Sequence, residues 1–92
     1  MAAFSAAMTK TVSASASAEM IKILVKARMD AGVTQVQLAK MLNKPQPWVS
    51  QVENNVRRID VIEFYAVAVA IGADPEKLIG DVVKRIKKLV KV

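Results

Sequence analysis

Ninety-two residues suffice for one domain with a modest core, and a 53% hydrophobic composition is that of a globular chain. The chain has no cysteine and no histidine, which excludes disulfides, thiolate or imidazole metal centres and a histidine general base, so no metal and no cofactor is expected. A formal charge of +6 favours a polyanionic partner, nucleic acid first and acidic lipid or acidic protein second.

No uninterrupted apolar run approaches the ~20 residues that span a bilayer, and the N-terminus lacks the charged start and leucine-rich centre of a secretory signal. A cytoplasmic protein is expected. From Ala2 to Ala18, thirteen of seventeen residues are Ala, Ser or Thr, interrupted by Phe4, Met8, Lys10 and Val12. Such a stretch buries too little to order itself, and residues 1–17 read as a flexible arm. The alternation from Val12 to Ala16 hints at a strand, but its side chains are too small to hold a sheet face.

Past the arm the pattern is helical throughout. Ser17 can cap a first helix with Glu19 in its first turn, and Ile21, Leu24, Val25 and Arg28 recur on one face until Gly32 ends it. Thr34-x-x-Gln37 is a capping box opening a second helix, with Leu38, Ala39, Met41 and Leu42 on one face. Asn43-Lys44-Pro45 breaks that helix after about two turns. A third short helix starts near Gln46 or Pro47, turns Val49 and Val52 inward and stops at Asn54-Asn55, where asparagine tolerates the left-handed conformation. Asp60 and Glu63 form a second capping box, opening a very apolar fourth helix through Phe64, Val67, Ala68 and Ile71 to Gly72. Asp74-Pro75 caps and opens a fifth helix that reaches about Val90. The expected fold is all-α, with five helices and no strand.

Two short helices joined by a tight turn inside a basic five-helix domain suggest a helix-turn-helix, whose second helix enters the major groove. The residues resemble the Cro and phage-repressor type, also called Xre-like. The landmarks are Arg28, Thr34-Gln35, Leu38-Ala39, Leu42, Gln46, Val49-Ser50, Val52-Glu53-Asn54, Ala68 and Ile71-Gly72, spread without a gap over residues 21–78. The resemblance implies a five-helix bundle of the lambda-repressor-like type. Its DNA-binding domain covers residues 18–80 with the motif at 34–55, and residues 81–92 extend the fifth helix.

The resemblance also implies roles. Gln35 looks like the glutamine that bonds a DNA phosphate and buttresses the recognition helix, a position where a helix N-terminus favours anions in any case; the bland alternative is a capping residue. Gln46 and Gln51 resemble positions that meet base edges, where a glutamine amide can both donate to and accept from adenine. Ser50 is placed to touch a base or a phosphate. Pro47 and Trp48 depart from the small polar residues usual there: Pro47 keeps only apolar contact with a thymine methyl, and Trp48 reads either as a partly outward side chain against the DNA backbone or a partner, or as a packing anchor. Ala39 resembles the small residue at which the second and third helices cross.

Arg28 and Glu53 look like an internal ion pair linking the first helix to the end of the third. Asn54, Asn55, Arg57 and Arg58 fall in a loop that lies along the DNA backbone in this family, and Lys44 and Lys40 are further backbone candidates. Val82, Val83, Ile86, Leu89 and Val90, with Leu78 and Ile79, make the fifth helix more apolar than a terminal helix needs; packing on the first and fourth helices accounts for Leu78 and Ile79, and for the later turns a homodimer interface is expected, over two half-sites about one DNA turn apart, with packing on the core as the alternative. Lys84, Arg85, Lys87, Lys88 and Lys91 then line its outer face; a membrane-surface helix is the lesser reading.

The function implied is sequence-specific binding of double-stranded DNA by a transcriptional regulator, a repressor on an inverted-repeat operator, in a bacterial cytoplasm or phage-infected host. The alternatives are an antitoxin or restriction-system controller of the same fold, with a toxin as partner in the first case, or a protein-interaction adaptor that keeps the fold without reading bases. An enzyme is not expected, since no nucleophile, base and oxyanion set can be assembled from these residues.

Overall fold

In the computed structural model residues 6–89 are described, with side-chain surroundings from residue 14 onward. They form α1 (Ala6–Asp30), α2 (Gln35–Leu42), α3 (Gln46–Glu53), α4 (Val61–Ala70) and α5 (Pro75–Leu89), and there is no strand among the described residues.

α1 departs most from the sequence-based expectation. The sequence places its start at Ser17, whereas the helix is continuous from Ala6 and 25 residues long. Alanine is the best helix former, and serine and threonine cost only about 0.5 kcal/mol each in a helix interior. Once the packed half of α1 supplies the nucleus, the small-residue stretch continues it at little cost. Ser17 is therefore interior to the helix, and its Oγ donates to Asn55 Oδ1 at 2.7 Å, tying α1 to the loop after α3. Residues 1–5 of the expected arm lie outside the described residues.

The remaining helix ends follow local chemistry. Gly32, at φ +71°, closes α1: its N–H donates to Met29 O (3.0 Å) and that of Val33 to Arg28 O (3.2 Å), a turn that a Cβ would strain. Both capping boxes form, Thr34 with Gln37 (3.1 and 2.9 Å) and Asp60 with Glu63 (2.7 and 2.9 Å). Each cap contributes about 1 kcal/mol. Asn43 ends α2 in the left-handed region at φ +55°, and Pro47 sits in the first turn of α3, where no N–H partner is lost. Asn55 takes the left-handed conformation after α3, while Asn54 does not. Asp74 Oδ1 accepts from the N–H groups of Glu76 (3.0 Å) and Lys77 (3.4 Å) at the start of α5.

The core joins Ile21 and Leu24 of α1, Leu38 and Ala39 of α2, Val49 and Val52 of α3, Phe64 and Val67 of α4, and Val82 of α5. α5 runs against α1, and Arg85 Nη1 bonds Glu19 Oε2 at 2.8 Å across the pair. For Val82 and Ile86 this corrects the expected dimer interface in favour of packing within the protomer. Val82 is 2% exposed and belongs to the protomer's own core, and Ile86 is half-buried against it, because the packed length of α1 covers the face that the sequence left open. Val83 and Leu89 remain exposed, and Val90 lies outside the described residues. Met41, grouped by spacing with the inward residues of α2, is also exposed.

Candidate nucleic-acid interface

α2 and α3 pack against each other and meet at the turn through Lys44 and Pro45. The eight residues of α3 divide into two sides. Trp48, Val49 and Val52 are buried, while Gln46, Pro47 and Gln51 are exposed and Ser50 is half-buried. The residues expected to meet bases thus lie on the side of one short helix that faces away from the core.

Four side chains fix how that helix is held. Arg28 Nε donates to Glu53 Oε2 at 2.6 Å, Arg28 Nη2 to Glu53 Oε1 at 2.9 Å, and Arg28 Nη1 to the carbonyl of Val33 at 2.8 Å. The two side chains are only 12% and 11% exposed, so this bidentate pair works in a largely desolvated setting. Glu53 Oε1 also accepts from Gln35 Nε2 at 2.9 Å, and Gln35 Oε1 accepts from Gln46 Nε2 at 3.2 Å. A chain of hydrogen bonds therefore runs from α1 through the end of α3 and the start of α2 to the exposed amide of Gln46. Gln35, read from the sequence as a phosphate contact or cap, is a half-buried link in this chain.

Trp48 requires a correction. Its ring is 8% exposed and part of the core, so it does not lie on the outer side against the DNA backbone. Trp48 lies four residues before Val52, so the same spacing that turns Val49 and Val52 inward places the indole on their side of α3. Its Nε1 is the one buried side-chain polar atom without a hydrogen-bond partner among the described residues. Two cations flank the ring: Lys44 Nζ lies 5.4 Å and Arg57 Cζ 5.9 Å from its centroid. Cation–π attraction at such sites is about 0.5–1 kcal/mol, enough to bias where two flexible cations rest.

The loop after α3 folds back on the helix end: the N–H groups of Val56 and Arg57 both donate to Gln51 O, at 2.9 and 3.1 Å. Asn54 Nδ2 donates to Ser50 O (2.9 Å) and Ser50 Oγ (3.3 Å), so this side chain closes the helix, and Asn55 Oδ1 is taken by Ser17. Arg57 and Arg58 are exposed, as are Lys40 and Lys44. With Glu53 matched by Arg28, the exposed charge between Thr34 and Arg58 is entirely positive. Sequence reasoning missed the Gln35–Glu53 bond, the Ser17–Asn55 bond and the cations over Trp48. The first two join residues far apart in sequence and leave no periodic signal. The third was legible only as a tryptophan with basic residues four before it and nine after.

No helix among the described residues is long and apolar enough to cross a membrane. The "Helix-turn-helix" family model matches residues 16–78. A solved structure, an "XRE-family like protein from Pseudomonas syringae pv. tomato str. DC3000", is 40% identical over 84% of this chain and 94% of its own, with a TM-score of 0.79. A search of curated proteins returns no match. An all-α fold whose second and third helices form a tight, basic helix-turn-helix defines a DNA-binding regulator at the level of the family. The chain belongs to the Xre-like helix-turn-helix family.

Proposed function

We propose that the protein is a sequence-specific regulator of double-stranded DNA, a cytoplasmic repressor that binds as a two-fold dimer to an inverted-repeat operator. The observation that carries this reading is the chain of hydrogen bonds from Arg28 to Gln46. It holds α3 from behind while Gln46 and Gln51 stay exposed in front. One N–H of Gln46 is spent on Gln35. Its second N–H and its carbonyl oxygen are left for a base, the donor-and-acceptor pair that matches adenine N7 and N6. Gln51 offers the same pair five residues further on, with Ser50 and Pro47 beside them.

Lys44 and Arg57 are the proposed phosphate contacts at the two ends of α3, with Arg58, Asn55 and Lys40 further along the backbone track. Resting over one indole, the two cations need less ordering when they meet a phosphate. The adaptor alternative drew its support from Pro47 and Trp48 on the outer side. With Trp48 in the core only Pro47 remains, and the DNA-binding reading is favoured. A control role within an antitoxin or restriction system stays inside the same fold, and the antitoxin case calls for a toxin partner of this chain.

The test is fluorescence anisotropy of a labelled duplex at a series of salt concentrations. Lys44→Gln and Arg57→Gln should each weaken binding about equally on all sequences and reduce the slope of log K against log salt by roughly 0.9. Slopes equal to the wild type's for both variants would remove these residues from the interface.

A further inference from the structure

Between α1 and α5 runs an open groove of about 450 Å³. Its floor is apolar: Ile23 is only 9% exposed, and Ala27 and Leu78 are half-buried against the core. Its rims are charged, with five cations and two carboxylates among the residues that line it. Lys26 is tied to Asp30 at 2.7 Å, and Arg85 to Glu19 at 2.8 Å. Among the described residues no ion pair engages Lys77, Lys84 or Lys88, nor the half-buried carboxylate of Asp81. Lys77, Asp81, Lys84 and Lys88 follow one another at steps of four, three and four residues, so they form one row along α5.

We propose that this groove is a docking site for an acidic amphipathic helix of a partner protein. The row from Lys77 to Lys88 is about 16 Å long, three turns of helix. A helix laid along it sets carboxylates at the same spacing against the three lysines and one basic residue against Asp81. Its apolar stripe then rests on Ile23, Ala27 and Leu78.

The two aspartates decide the class of occupant. A duplex laid in the groove would bring phosphates against Asp30 and Asp81, and it has nothing to place on an apolar floor. A second copy of the chain, itself at +6, would meet the lysines with like charge. A polypeptide helix alone can alternate sign within one turn and carry an apolar stripe beside it. The groove also faces away from the DNA-reading side. Lys26 and Asp30 each stand two residues from Arg28, about 200° round α1 from the side chain that holds the end of α3. A helix seated there leaves Gln46 and Gln51 uncovered, so partner and DNA bind together.

Nuclear magnetic resonance of the isotope-labelled 92-residue chain tests this, in a titration at low salt with a synthetic peptide helix about four turns long. The peptide is held helical by side-chain staples and carries glutamates at the spacing of Lys77, Lys84 and Lys88, a lysine to meet Asp81 and leucines toward the floor. Backbone signals of residues 23–27 and 78–88 should move and saturate between roughly 10 µM and 1 mM, while those of Gln46 and Gln51 stay in place. Lys84→Glu with Lys88→Glu should weaken binding at least about tenfold with unchanged helical circular dichroism, and Lys84→Arg with Lys88→Arg should retain it. A peptide of reversed charge should not bind. Groove signals that stay in place up to about 2 mM peptide would overturn the proposal, as would equal binding by the double glutamate variant. Displacement of the peptide from the groove by duplex DNA would make this a nucleic-acid surface instead, and groove signals that move with the concentration of the chain alone would assign it to a second copy.

Discussion

Glu53→Ala should lower the melting temperature by more than about 10 °C, whereas Gln51→Ala, two residues away, should leave it within about 2 °C of the wild type. The difference comes from what each side chain leaves behind. Glu53 accepts two hydrogen bonds from Arg28 and one from Gln35, in a setting where both charged side chains are nearly nine-tenths covered. Its removal strands a guanidinium without a counter-charge, a loss of about 3–5 kcal/mol, and each kcal/mol is worth roughly 4–8 °C in a domain of this size. Gln51 is exposed, and its side chain makes no hydrogen bond among those described above. Replacing both partners, Arg28→Met with Glu53→Leu, should recover part of the loss, since it removes the desolvation cost together with the attraction. Equal melting temperatures for Glu53→Ala and Gln51→Ala would refute the structural role of the pair.

The largest expected effect on DNA recognition is the converse. Gln51→Ala and Gln46→Ala should each reduce affinity for the operator by roughly 10- to 100-fold, from about 1–3 kcal/mol per bidentate base contact, without changing affinity for unrelated duplex. Gln35→Leu should weaken reading most at the base position met by Gln46, which loses its hydrogen-bonded rest, and should also lower the melting temperature slightly, because Glu53 loses one of the three hydrogen bonds it accepts. Competition binding with operators altered one base pair at a time separates these outcomes. A uniform loss across operator and unrelated DNA alike would mean that the two glutamines hold backbone and do not read sequence.

Much of this architecture is legible in the chain, and for identifiable reasons. The helix starts at Thr34 and Asp60 are written as complete capping boxes, and the stops at Gly32, Asn43 and Asn55 as residues that tolerate positive φ. Such signals are local, so sequence alone carries them. The start of α1 is not local: Ala6 to Ala16 is helical as a continuation of the packed turns from Ile21 onward, and composition alone suggested an arm. The burial of Val82 depends in turn on that α1, which the amphipathic pattern of α5 by itself does not reveal. α4 is apolar nearly all round, yet the spacing of Phe64, Val67, Ala68 and Ile71 marks the four residues that are buried, and Ile62 and Tyr65 are left outside. Around α3, Trp48 stands four residues before the inward Val52, so its burial follows from the same helical spacing, although the sequence reading leaves it between an outward contact and a packing anchor.

The most direct measurement is selection of bound duplexes from a random pool by the 92-residue chain at physiological salt. Enrichment of an inverted repeat with half-sites about one helical turn apart, and with adenine at positions lost when Gln46 or Gln51 is replaced, is the result expected from an α3 held rigid with its amides exposed. A recovered pool no different from the starting one, at protein concentrations that saturate duplex binding, would contradict it.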